Sequence, residues 1–304
     1  MRFSVVVPVY NREILICQTI DSILSQTFTD YEIIVVDDGS SDQTPDVLRS
    51  YGKRVRVIRQ DHQGPEIARN TGASQSHGEY LAFLDSDDLY LSNALATYDR
   101  IVRAFDFPAL ILASMNYFRQ SQFVQLNSGA GESVVEVFKY KDFLAKEGGL
   151  GMSYSKIVIR KAIFERVRAS GNRPPITFPM EDHNLLLRAG TYGPCIIVKR
   201  PITVAYRVHE GNYVRNIDAM VKGTLSLVRA ESRGQFPGGL SRKFSRYAYI
   251  GSKIYFWTWK ALKFHRLGLA SRLLISGGLM MVAAALKTLW WKLHGTSPSY
   301  LLHD

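Results

Sequence analysis

Short apolar runs alternate with helix-like segments along the first hundred residues. The runs are rich in β-branched residues and too short for helices, so they predict buried strands. They are Phe3–Val9, Tyr31–Val36, Val55–Arg59 and Tyr80–Leu84. Between them, helical patterns begin at Asn11 and cover Thr44–Tyr51 and Gly64–Ser76. Because the strands lack an alternating polar face, we expect an α/β fold with a mainly parallel sheet covered by helices on both sides.

The pattern is less regular further along the chain. Strands are predicted at Leu110–Tyr117 and Lys156–Arg160, helical turns at Asp182–Ala189, and a β-rich stretch at Cys195–Tyr206. From Ala219 onward helical residues dominate, and no internal repeat is present. The sequence therefore predicts an α/β region followed by a helical extension.

Composition excludes several classes of protein. The chain is 46% apolar and 12% aromatic, which is too rich in core-forming side chains for intrinsic disorder. Its two cysteines, Cys17 and Cys195, lie too far apart for a disulfide scaffold or a cysteine-based zinc site, and we interpret them as small buried hydrophobes. A signal peptide has a charged segment, then a long apolar run, then a cleavage site. The N-terminus MRFSVVVPVYN does not show this order of features, so we expect no secretion signal.

The net charge of +11 belongs to one part of the chain. Residues 1–231 carry 27 basic and 26 acidic side chains, whereas residues 232–304 carry 11 basic side chains and a single acid, Asp304. The tail also holds all four tryptophans, and its most apolar run is the fourteen residues Leu273–Leu286, between Arg272 and Lys287. Such a run is shorter than the roughly 20 residues of a spanning helix, whereas basic and Trp residues at its edges suit an anionic membrane surface.

We therefore interpret the tail as a peripheral membrane anchor that locates the protein and does not bind substrate. Two alternatives stay open: a helical pair that packs on the rest of the chain or on a second subunit, and a transmembrane helix. Nucleic acid is not an expected partner, because the basic residues are interleaved with apolar ones and no nucleic-acid motif is present.

The most informative motif is LDSDD at Leu84–Asp88, directly after a predicted strand. Three carboxylates in four positions repel one another unless a cation lies among them, and oxygen ligands suit Mg²⁺ or Mn²⁺. The alternative is a turn in which Asp88 or Ser92 caps the next helix. Since ligands bind beyond the carboxyl ends of parallel strands, the position favours a site.

A second motif, VVDDGSSD at Val35–Asp42, also ends a predicted strand. Its carboxylates can accept hydrogen bonds from a base or a ribose, and Gly39 permits close approach of the backbone. The same residues suit a response-regulator acidic pocket or a helix cap. Neither GxGxxG nor GxxxxGK[ST] occurs, so neither a dinucleotide fold nor a P-loop is indicated.

Six motifs together resemble the family 2 glycosyltransferases of the GT-A fold in order and spacing. They are PVYNRE at Pro8–Glu13, VVDDGSSD at Val35–Asp42, GPEIARNTG at Gly64–Gly72, LDSDD at Leu84–Asp88, MEDHNLLLRAG at Met180–Gly190 and YRVHEGN at Tyr206–Asn212. The resemblance implies a GT-A-like, Rossmann-type sheet flanked by helices. It also implies a catalytic domain at 1–215, with a nucleotide-binding half at about 1–105 and an acceptor half at about 106–215. Residues 216–304 would form the helical, basic, membrane-associating or oligomerising region.

The resemblance also implies roles for residues that bind a nucleotide-sugar donor. Pro8 and Tyr10 correspond to the loop beside the base. Asp38 corresponds to the carboxylate that reads uracil or another base, and Asp37 is the weaker candidate for that contact. Asp85 corresponds to a ribose contact.

The resemblance implies further roles in binding the diphosphate of the nucleotide-sugar donor. Asp87 corresponds to the ligand of Mg²⁺ or Mn²⁺, with Asp88 as a possible second ligand and His209 as a residue that can complete the metal shell. Arg207 can pair with a phosphate oxygen, and Arg69 can help to orient the donor. The alternatives are the polar face of a strand for Arg207 and His209, and surface contacts on a helix for Arg69.

In this family an inverting mechanism passes a sugar from a nucleotide-diphosphate donor to an acceptor. Asp182 matches the catalytic base, with Glu181 beside it as the second candidate. Both residues can instead cap the helix that follows. A base must remove the proton of the acceptor hydroxyl, and a cation stabilises the departing diphosphate.

We therefore expect a metal-dependent glycosyltransferase that uses a UDP-linked sugar and a glycan or lipid-linked acceptor. Its expected location is the cytoplasmic face of the cell membrane, where the tail binds anionic lipid, and it can form a homo-oligomer. Two rival functions are a sugar-nucleotide nucleotidyltransferase, which would carry a Gly-rich loop where this chain has PVYNRE, and a nucleotide-sugar-binding scaffold that has lost catalysis.

Overall fold

The computed structural model describes residues 1–121, 134–146, 151–169, 179–294 and 298–302, so Asp304 lies outside the described residues. The strands are β1 (Phe3–Val9), β2 (Tyr31–Asp37), β3 (Arg56–Arg59), β4 (Tyr80–Phe83), β5 (Leu89–Tyr90), β6 (Leu110–Leu112), β7 (Met115–Phe118), β8 (Val135–Tyr140), β9 (Ile157–Arg160), β10 (Cys195–Arg200), β11 (Val204–Arg207) and β12 (Ser299–Leu302). The helices are α1 (Ile16–Leu24), α2 (Thr44–Ser50), α3 (Pro65–Ser74), α4 (Ala94–Ala104), α5 (Lys161–Ala169), α6 (Glu181–Ala189), α7 (Ile217–Ser232), α8 (Lys243–Lys263) and α9 (Leu267–His294).

The strands form a large sheet and a small one. The large sheet has nine strands in the order β12-β8-β10-β6-β9-β4-β1-β2-β3, and the small sheet has the order β5-β11-β7. In the large sheet only β8 and β9 run against their neighbours, so the other strands share one direction. The prediction of an α/β fold with a mainly parallel sheet is confirmed.

One stretch predicted as a strand and one predicted only as β-rich each divide between the two sheets. The stretch that begins at Leu110 pairs first with β9 and β10 in the large sheet and then, from Met115, with β11 in the small one. The β-rich stretch that begins at Cys195 divides in the same way around Pro201. Pro201 has no backbone N–H to donate to a ladder, which ends the first strand. The small sheet is what brings Arg207 back beside the end of β4.

The two largest clusters of buried apolar side chains lie on the two faces of the large sheet. The cluster on one face includes Ile254 and Trp257 of α8 and Leu273 of α9, together with Leu81 and Phe83 of β4. The C-terminal helices thus share a core with the sheet. Burial of apolar side chains is the main source of folding free energy, so these contacts hold part of the tail against the sheet.

The end of the described chain returns to the large sheet. Strand β12 pairs antiparallel with β8, and Arg100 of α4 donates a hydrogen bond to the carbonyl oxygen of Leu302. The sequence did not predict β8, β12 or α5. The division into domains at 215 stays a prediction.

Helix α9 is long and apolar enough to cross a membrane by length and composition. Its segment Leu267–Leu293 has a mean hydropathy of 1.8, and it is the one such segment in the described ranges. The helix is interrupted at Gly277, where Ile254 of α8 packs against the backbone. Ile275 and Leu279 are 85% and 81% exposed, so one side of α9 presents large apolar side chains to the surroundings.

Candidate active site

The predicted site residues lie in three groups at the carboxyl ends of the parallel strands. One group follows β1 and β2, one follows β4 beside the small sheet, and one lies where α3 meets the start of α6. This is the edge at which ligands bind in open α/β sheets.

In the first group Asp38 is buried and accepts several hydrogen bonds. Its carboxylate accepts from Gln60 Nε2 at 2.7 Å, from the backbone N–H of Gln63 at 3.0 Å and from that of Gly64 at 2.8 Å. Gly64 has φ 91°, a conformation that favours glycine, and it precedes α3. Asp38 therefore ties the end of β2 to the start of α3.

Tyr10 and His62 form a stack beside this carboxylate. Their ring centroids are 4.0 Å apart at an interplanar angle of 25°, and both side chains are exposed. His62 Nδ1 also lies 2.9 Å from a carboxylate oxygen of Asp38. Pro8 is buried within β1. The arrangement places flat ring faces next to a carboxylate. A nucleobase can stack on such rings and donate a hydrogen bond to such a carboxylate.

Asp37 has a different environment. One oxygen accepts from the backbone N–H of Ser40 at 3.0 Å, and the other lies 3.6 Å from Arg59. The carboxylate thereby holds the turn after β2.

In the second group Asp88 is fully buried, and both of its oxygens are engaged. One accepts from the backbone N–H of Arg207 at 2.9 Å and the other from Ser155 Oγ at 2.6 Å. Burial, followed by the charges of Asp87 and Asp85, raises the pKa of the Asp88 carboxyl well above its usual range. Asp88 therefore joins β4 to β11 and to the turn before β9.

Arg207 is buried and directed inward. Its guanidinium donates to the carbonyl oxygen of Asp87 at 2.7 Å, to Gln18 Oε1 at 2.8 Å and to Gln120. The guanidinium also lies 4.7 Å from the ring centroid of Phe118. Arg207 thus holds the backbone at Asp87 in place.

Asp87 and His209 form a partly exposed pair. Asp87 Oδ2 lies 3.0 Å from His209 Nε2, and the side chains are 18% and 24% exposed. Carboxylate and imidazole are both ligands of divalent cations, and a cation that binds phosphate needs few protein ligands because phosphate and water oxygens complete its shell. The pair fits such an ion. Within the described part of the chain, no group of three or more His, Cys, Asp or Glu residues could hold a metal ion.

In the third group Arg69 bridges two carboxylates. Its guanidinium donates to Glu181 Oε1 at 2.7 Å and to Asp85 Oδ1 at 2.6 Å, and it lies 3.7 Å from the ring centroid of Tyr154. Burial alone would lower the pKa of Arg69, but Asp85 and Glu181 raise it. Ser153 Oγ donates to the other oxygen of Asp85 at 3.2 Å.

Glu181 and Asp182 begin α6, yet their environments differ. Glu181 is buried, and burial raises its pKa to about 7 although Arg69 opposes the shift. Asp182 is partly exposed and accepts from the backbone N–H of His183 at 2.7 Å. The N-terminus of a helix favours negative charge, which suits both carboxylates.

The backbone before these carboxylates is strained. Met180 has φ 92°, in the left-handed region that residues other than glycine rarely adopt. A Cβ at Gly223 of α7 would overlap the carbonyl oxygen of Pro179. Helix α7 thus packs directly on the turn that positions Glu181 and Asp182.

A cavity of about 560 Å³ lies between these elements. Arg69, Asp85, Glu181 and Asp182 line one side of it. Its other lining residues are aromatic and basic side chains from β7, β11, the turn that begins at Tyr213, and α8, which are Tyr117, Tyr206, Tyr213, Lys253, Phe256 and Trp257. Helix α8 of the basic tail thus folds back over the sheet and lines this cavity, and the interpretation of the tail as a membrane anchor stays a prediction.

The structure thus joins Arg69 and Asp85 to Glu181 and Asp182, and it joins Asp87 to His209 and Arg207. The first group lies separately around Asp38. Sequence reasoning missed the residues that support these groups, His62, Tyr154, Ser155 and Lys253. No local motif marks them, since each acts through a partner distant in sequence.

Comparisons with known proteins identify the family and the fold. The family model described as glycosyl transferase family 2 matches residues 4–168. A curated relative, the GalNAc(5)-diNAcBac-PP-undecaprenol beta-1,3-glucosyltransferase of Campylobacter jejuni, is 36% identical over 173 residues, which cover 55% of this chain and 54% of that protein. The chain spans about half of that relative's length and 14% to 34% of the length of two others.

Two solved structures share the fold. TarS of S. aureus in complex with UDP-GlcNAc aligns with a TM-score of 0.65 at 18% identity, over 93% of this chain and 81% of that one. The mannosyltransferase PcManGT of Pyrobaculum calidifontis, in complex with GDP-Man and Mn²⁺, aligns with a TM-score of 0.57 at 17% identity, over 96% and 88%. The GT-A-like fold class is confirmed. With the family model matching more than half of its residues, the chain belongs to glycosyl transferase family 2.

Proposed function

We propose that the chain is an inverting glycosyltransferase that moves a sugar from a nucleotide-diphosphate sugar, UDP-linked, to a glycan or lipid-linked acceptor. The observation that carries the proposal is the cavity shared by Asp85 and Asp182. Asp85 follows β4 and Asp182 lies in the first turn of α6, and both side chains line the same cavity. A single displacement needs the donor and the base held within one site, around the reacting carbon.

Asp182 is the proposed base, and Glu181 is the proposed positioning residue. Asp182 is partly exposed to the cavity, where an acceptor hydroxyl can donate to it. Glu181 is buried and bonded to Arg69, and its pKa of about 7 leaves it partly protonated at neutral pH. A buried, ion-paired carboxyl can orient Arg69 but is poorly placed to accept a substrate proton.

The donor is proposed to bind along the strand ends, with its base at Tyr10 and Asp38. The nucleobase of the donor could stack on Tyr10 in place of His62 or beside it, and Asp38 could accept a hydrogen bond from the nucleobase. The ribose would lie near Asp85. The bound nucleotides UDP-GlcNAc and GDP-Man belong to the two structural neighbours and make a nucleotide sugar the natural candidate here.

Asp87 and His209 are the proposed protein ligands of Mg²⁺ or Mn²⁺. When bound, the ion would supply positive charge to the departing diphosphate. Asp88 and Arg207 are instead proposed to position this pair, because their polar atoms are already engaged within the protein. Arg69 is proposed to hold Asp85 in place.

The exposed side of α9 is the proposed contact with the cytoplasmic face of an anionic membrane. Large apolar side chains such as Ile275 and Leu279 are exposed there, and the tail carries the excess positive charge of the chain. The name of the Campylobacter jejuni relative describes an acceptor linked to undecaprenol, and a lipid-linked acceptor would explain such a location. A homo-oligomer is the alternative use of the same face.

The test is the Asp182→Asn variant with a panel of nucleotide sugars and Mn²⁺. Transfer should fall by about 10²- to 10⁴-fold while the affinity for the donor is unchanged, because only proton removal is lost. Asp218→Asn, an exposed carboxyl on α7, is the matched control and should retain transfer. Retention of transfer by Asp182→Asn would exclude it as the base.

The products separate the proposed function from its rivals. A glycosyltransferase releases a nucleoside diphosphate, whereas a nucleotidyltransferase consumes a nucleoside triphosphate and releases pyrophosphate. A scaffold protein would bind a nucleotide sugar and release neither product.

A further inference from the structure

A second cavity lies between α7 and α9, on the side of α7 away from the candidate active site. Its volume is about 580 Å³, which falls in the range of about 300–1,000 Å³ that small-molecule sites occupy. Lys222, Leu225 and Arg229 line this second cavity and share one side of α7 at helical spacing. Gly223, on the other side of that helix, packs on the turn before α6. No described residue lines both cavities.

Contacts between α7 and α9 mark both ends of the second cavity. At one end Arg266, directly before α9, donates to both carboxylate oxygens of Asp218 at 2.5 Å and 2.6 Å. At the other end a Cβ at Gly277 would lie 3.7 Å from Val228 Cγ2, so the two helices touch there. The helices therefore run in the same direction, and the cavity is the space that they leave between these contacts.

Positive charge is concentrated at the second cavity. Lys222, Arg229 and Arg272 line it, and all three side chains are exposed. Within the described ranges, none of these three side chains forms a hydrogen bond or an ion pair. Asp218 also lines the cavity, but its charge is matched by that of Arg266. The excess of positive charge therefore favours an anionic ligand.

The walls between the charged groups are apolar. They are formed by buried and half-buried side chains of α7 and α9, which are Val221, Leu225, Val228 and Leu269. On α9, Arg272 lies one helical turn from Ile275, whose side chain is 85% exposed. The cavity thus adjoins the exposed apolar side of α9, and a ligand that fills it can extend along that side.

These features together suit a ligand that is both anionic and apolar. Guanidinium groups bind phosphate through paired hydrogen bonds, and an ammonium group binds it as a point charge. A free phosphate would leave the apolar walls in contact with water, whereas the glycerol and acyl carbons of a lipid would cover them. Basic pockets between helices at the cytoplasmic side of a membrane bind the headgroups of anionic lipids in the same way.

We propose that the second cavity binds the headgroup of an anionic phospholipid, with the phosphate at Lys222, Arg229 and Arg272 and the acyl chains along the exposed side of α9. The inference rests on the membrane contact in the proposed function, since it names the site at which that contact recognises a lipid. Diffuse attraction to a charged surface needs no cavity. A site of this kind binds one lipid molecule even in the absence of a membrane.

The test measures binding of dihexanoyl phosphatidylglycerol to the full chain by calorimetry, below the concentration at which this lipid forms micelles. Dihexanoyl phosphatidylcholine and glycerol 3-phosphate are the comparison ligands, and both should bind more weakly. Replacing Lys222, Arg229 or Arg272 with Gln should weaken binding of the phosphatidylglycerol by about tenfold each, the effect of losing one charge-assisted hydrogen bond. Lys292→Gln, which removes an exposed charge of α9 outside the cavity, is the matched control and should bind as the wild type does.

Two further measurements do not depend on removing a charge. Ser276→Trp places a large side chain in the cavity from an exposed position of α9, and it should prevent binding of the short lipid. In the wild-type chain, the same lipid should protect Lys222 from acetylation, as read by mass spectrometry, and should leave Lys292 reactive.

Equal binding of phosphatidylglycerol and phosphatidylcholine, or binding that ignores the three substitutions and Ser276→Trp, would overturn the inference. Equal binding of glycerol 3-phosphate would also overturn it, since the site would then recognise a free phosphate. Flotation with vesicles of phosphatidylcholine and phosphatidylglycerol in equal parts separates this site from the membrane contact on which it rests. A chain that floats with these vesicles but binds no monomeric lipid counts against the cavity alone, whereas a chain that does not float counts against the membrane contact.

Discussion

Arg69 and Glu181, 112 residues apart in sequence, form a buried ion pair in which the guanidinium donates to the carboxylate at 2.7 Å. The pair connects α3 to the first turn of α6. Because Arg69 also donates to Asp85, one side chain sets the spacing between the strand end and the helix that carries Asp182.

Replacing Arg69 with Met should destabilise the protein, and more at high pH than at low pH. Breaking a buried pair by removing one partner costs about 3–5 kcal/mol. The pKa of Glu181 in the folded chain, already raised to about 7, would rise further, so folding would take up a proton at neutral pH. A raised carboxyl pKa means that stability falls as pH increases above the unfolded value of about 4.3.

Thermal unfolding at pH 5 and pH 8 measures this difference. Arg69→Met should lose more stability relative to the wild type at pH 8, where the unpaired Glu181 must be protonated or buried as an anion. The double variant Arg69→Met/Glu181→Gln removes the titrating group and serves as the control, with a smaller difference between the two pH values. An equal loss for Arg69→Met at both pH values would contradict the assignment.

Asp87 and His209 should control the metal requirement, and Asp88 should control stability. Removing divalent ions with a chelator should abolish transfer, and Mn²⁺ should restore it. Asp87→Asn or His209→Ala should raise the half-saturating Mn²⁺ concentration by about tenfold or more, since even residues outside the ligand set change metal affinity by that amount.

Asp88→Asn provides the contrast. It disturbs the acceptors for the Arg207 backbone and Ser155, so the melting temperature should fall while the Mn²⁺ dependence of the remaining activity is unchanged. A shift in Mn²⁺ dependence as large as that of Asp87→Asn would instead make Asp88 a ligand.

Gly223→Ala should reduce turnover although Gly223 touches no proposed substrate. The added Cβ would overlap the carbonyl oxygen of Pro179 and displace the turn at Met180. Displacing a catalytic group by about 1 Å can cost about 10²-fold in rate. Gly268→Ala, at a helical position with no atom near the added Cβ, is the matched control and should keep full activity. Equal turnover for the two variants would show that α7 does not set the position of Asp182.

Ile275→Asp combined with Leu279→Asp should release the protein from anionic vesicles. Both side chains are exposed, so the substitutions add charge to the apolar side of α9 without entering the core. Flotation with phosphatidylglycerol vesicles measures binding, and Val57→Asp on the edge strand β3 is the control for added charge. Deleting the tail would be a poorer test, because α8 and α9 contribute to the core. Unchanged flotation of the double variant would favour an oligomer interface on this side.

Most strands and helices of the first half could be predicted because their signals are local. Tyr31–Val36 and Thr44–Tyr51 need only their own apolar pattern, and the observed β2 and α2 begin at the same residues. Strand β12 could not be predicted, because Ser299–Leu302 is a strand only through its pairing with β8. The same holds for the small sheet, whose strands come from three separate regions.

In the candidate site, too, some features follow from local sequence and others only from tertiary contacts. The sequence alone determined the family resemblance and the positions of the carboxylates, since both are contained in short motifs. Only the tertiary structure decided which carboxylates are engaged within the protein, as Asp88 is, and which face a cavity, as Asp182 does. It also decided that Lys253 of the basic tail lies in that cavity. Burial and hydrogen bonding depend on atoms brought together from distant parts of the chain, and these contacts determine protonation and accessibility in ways that local sequence does not encode.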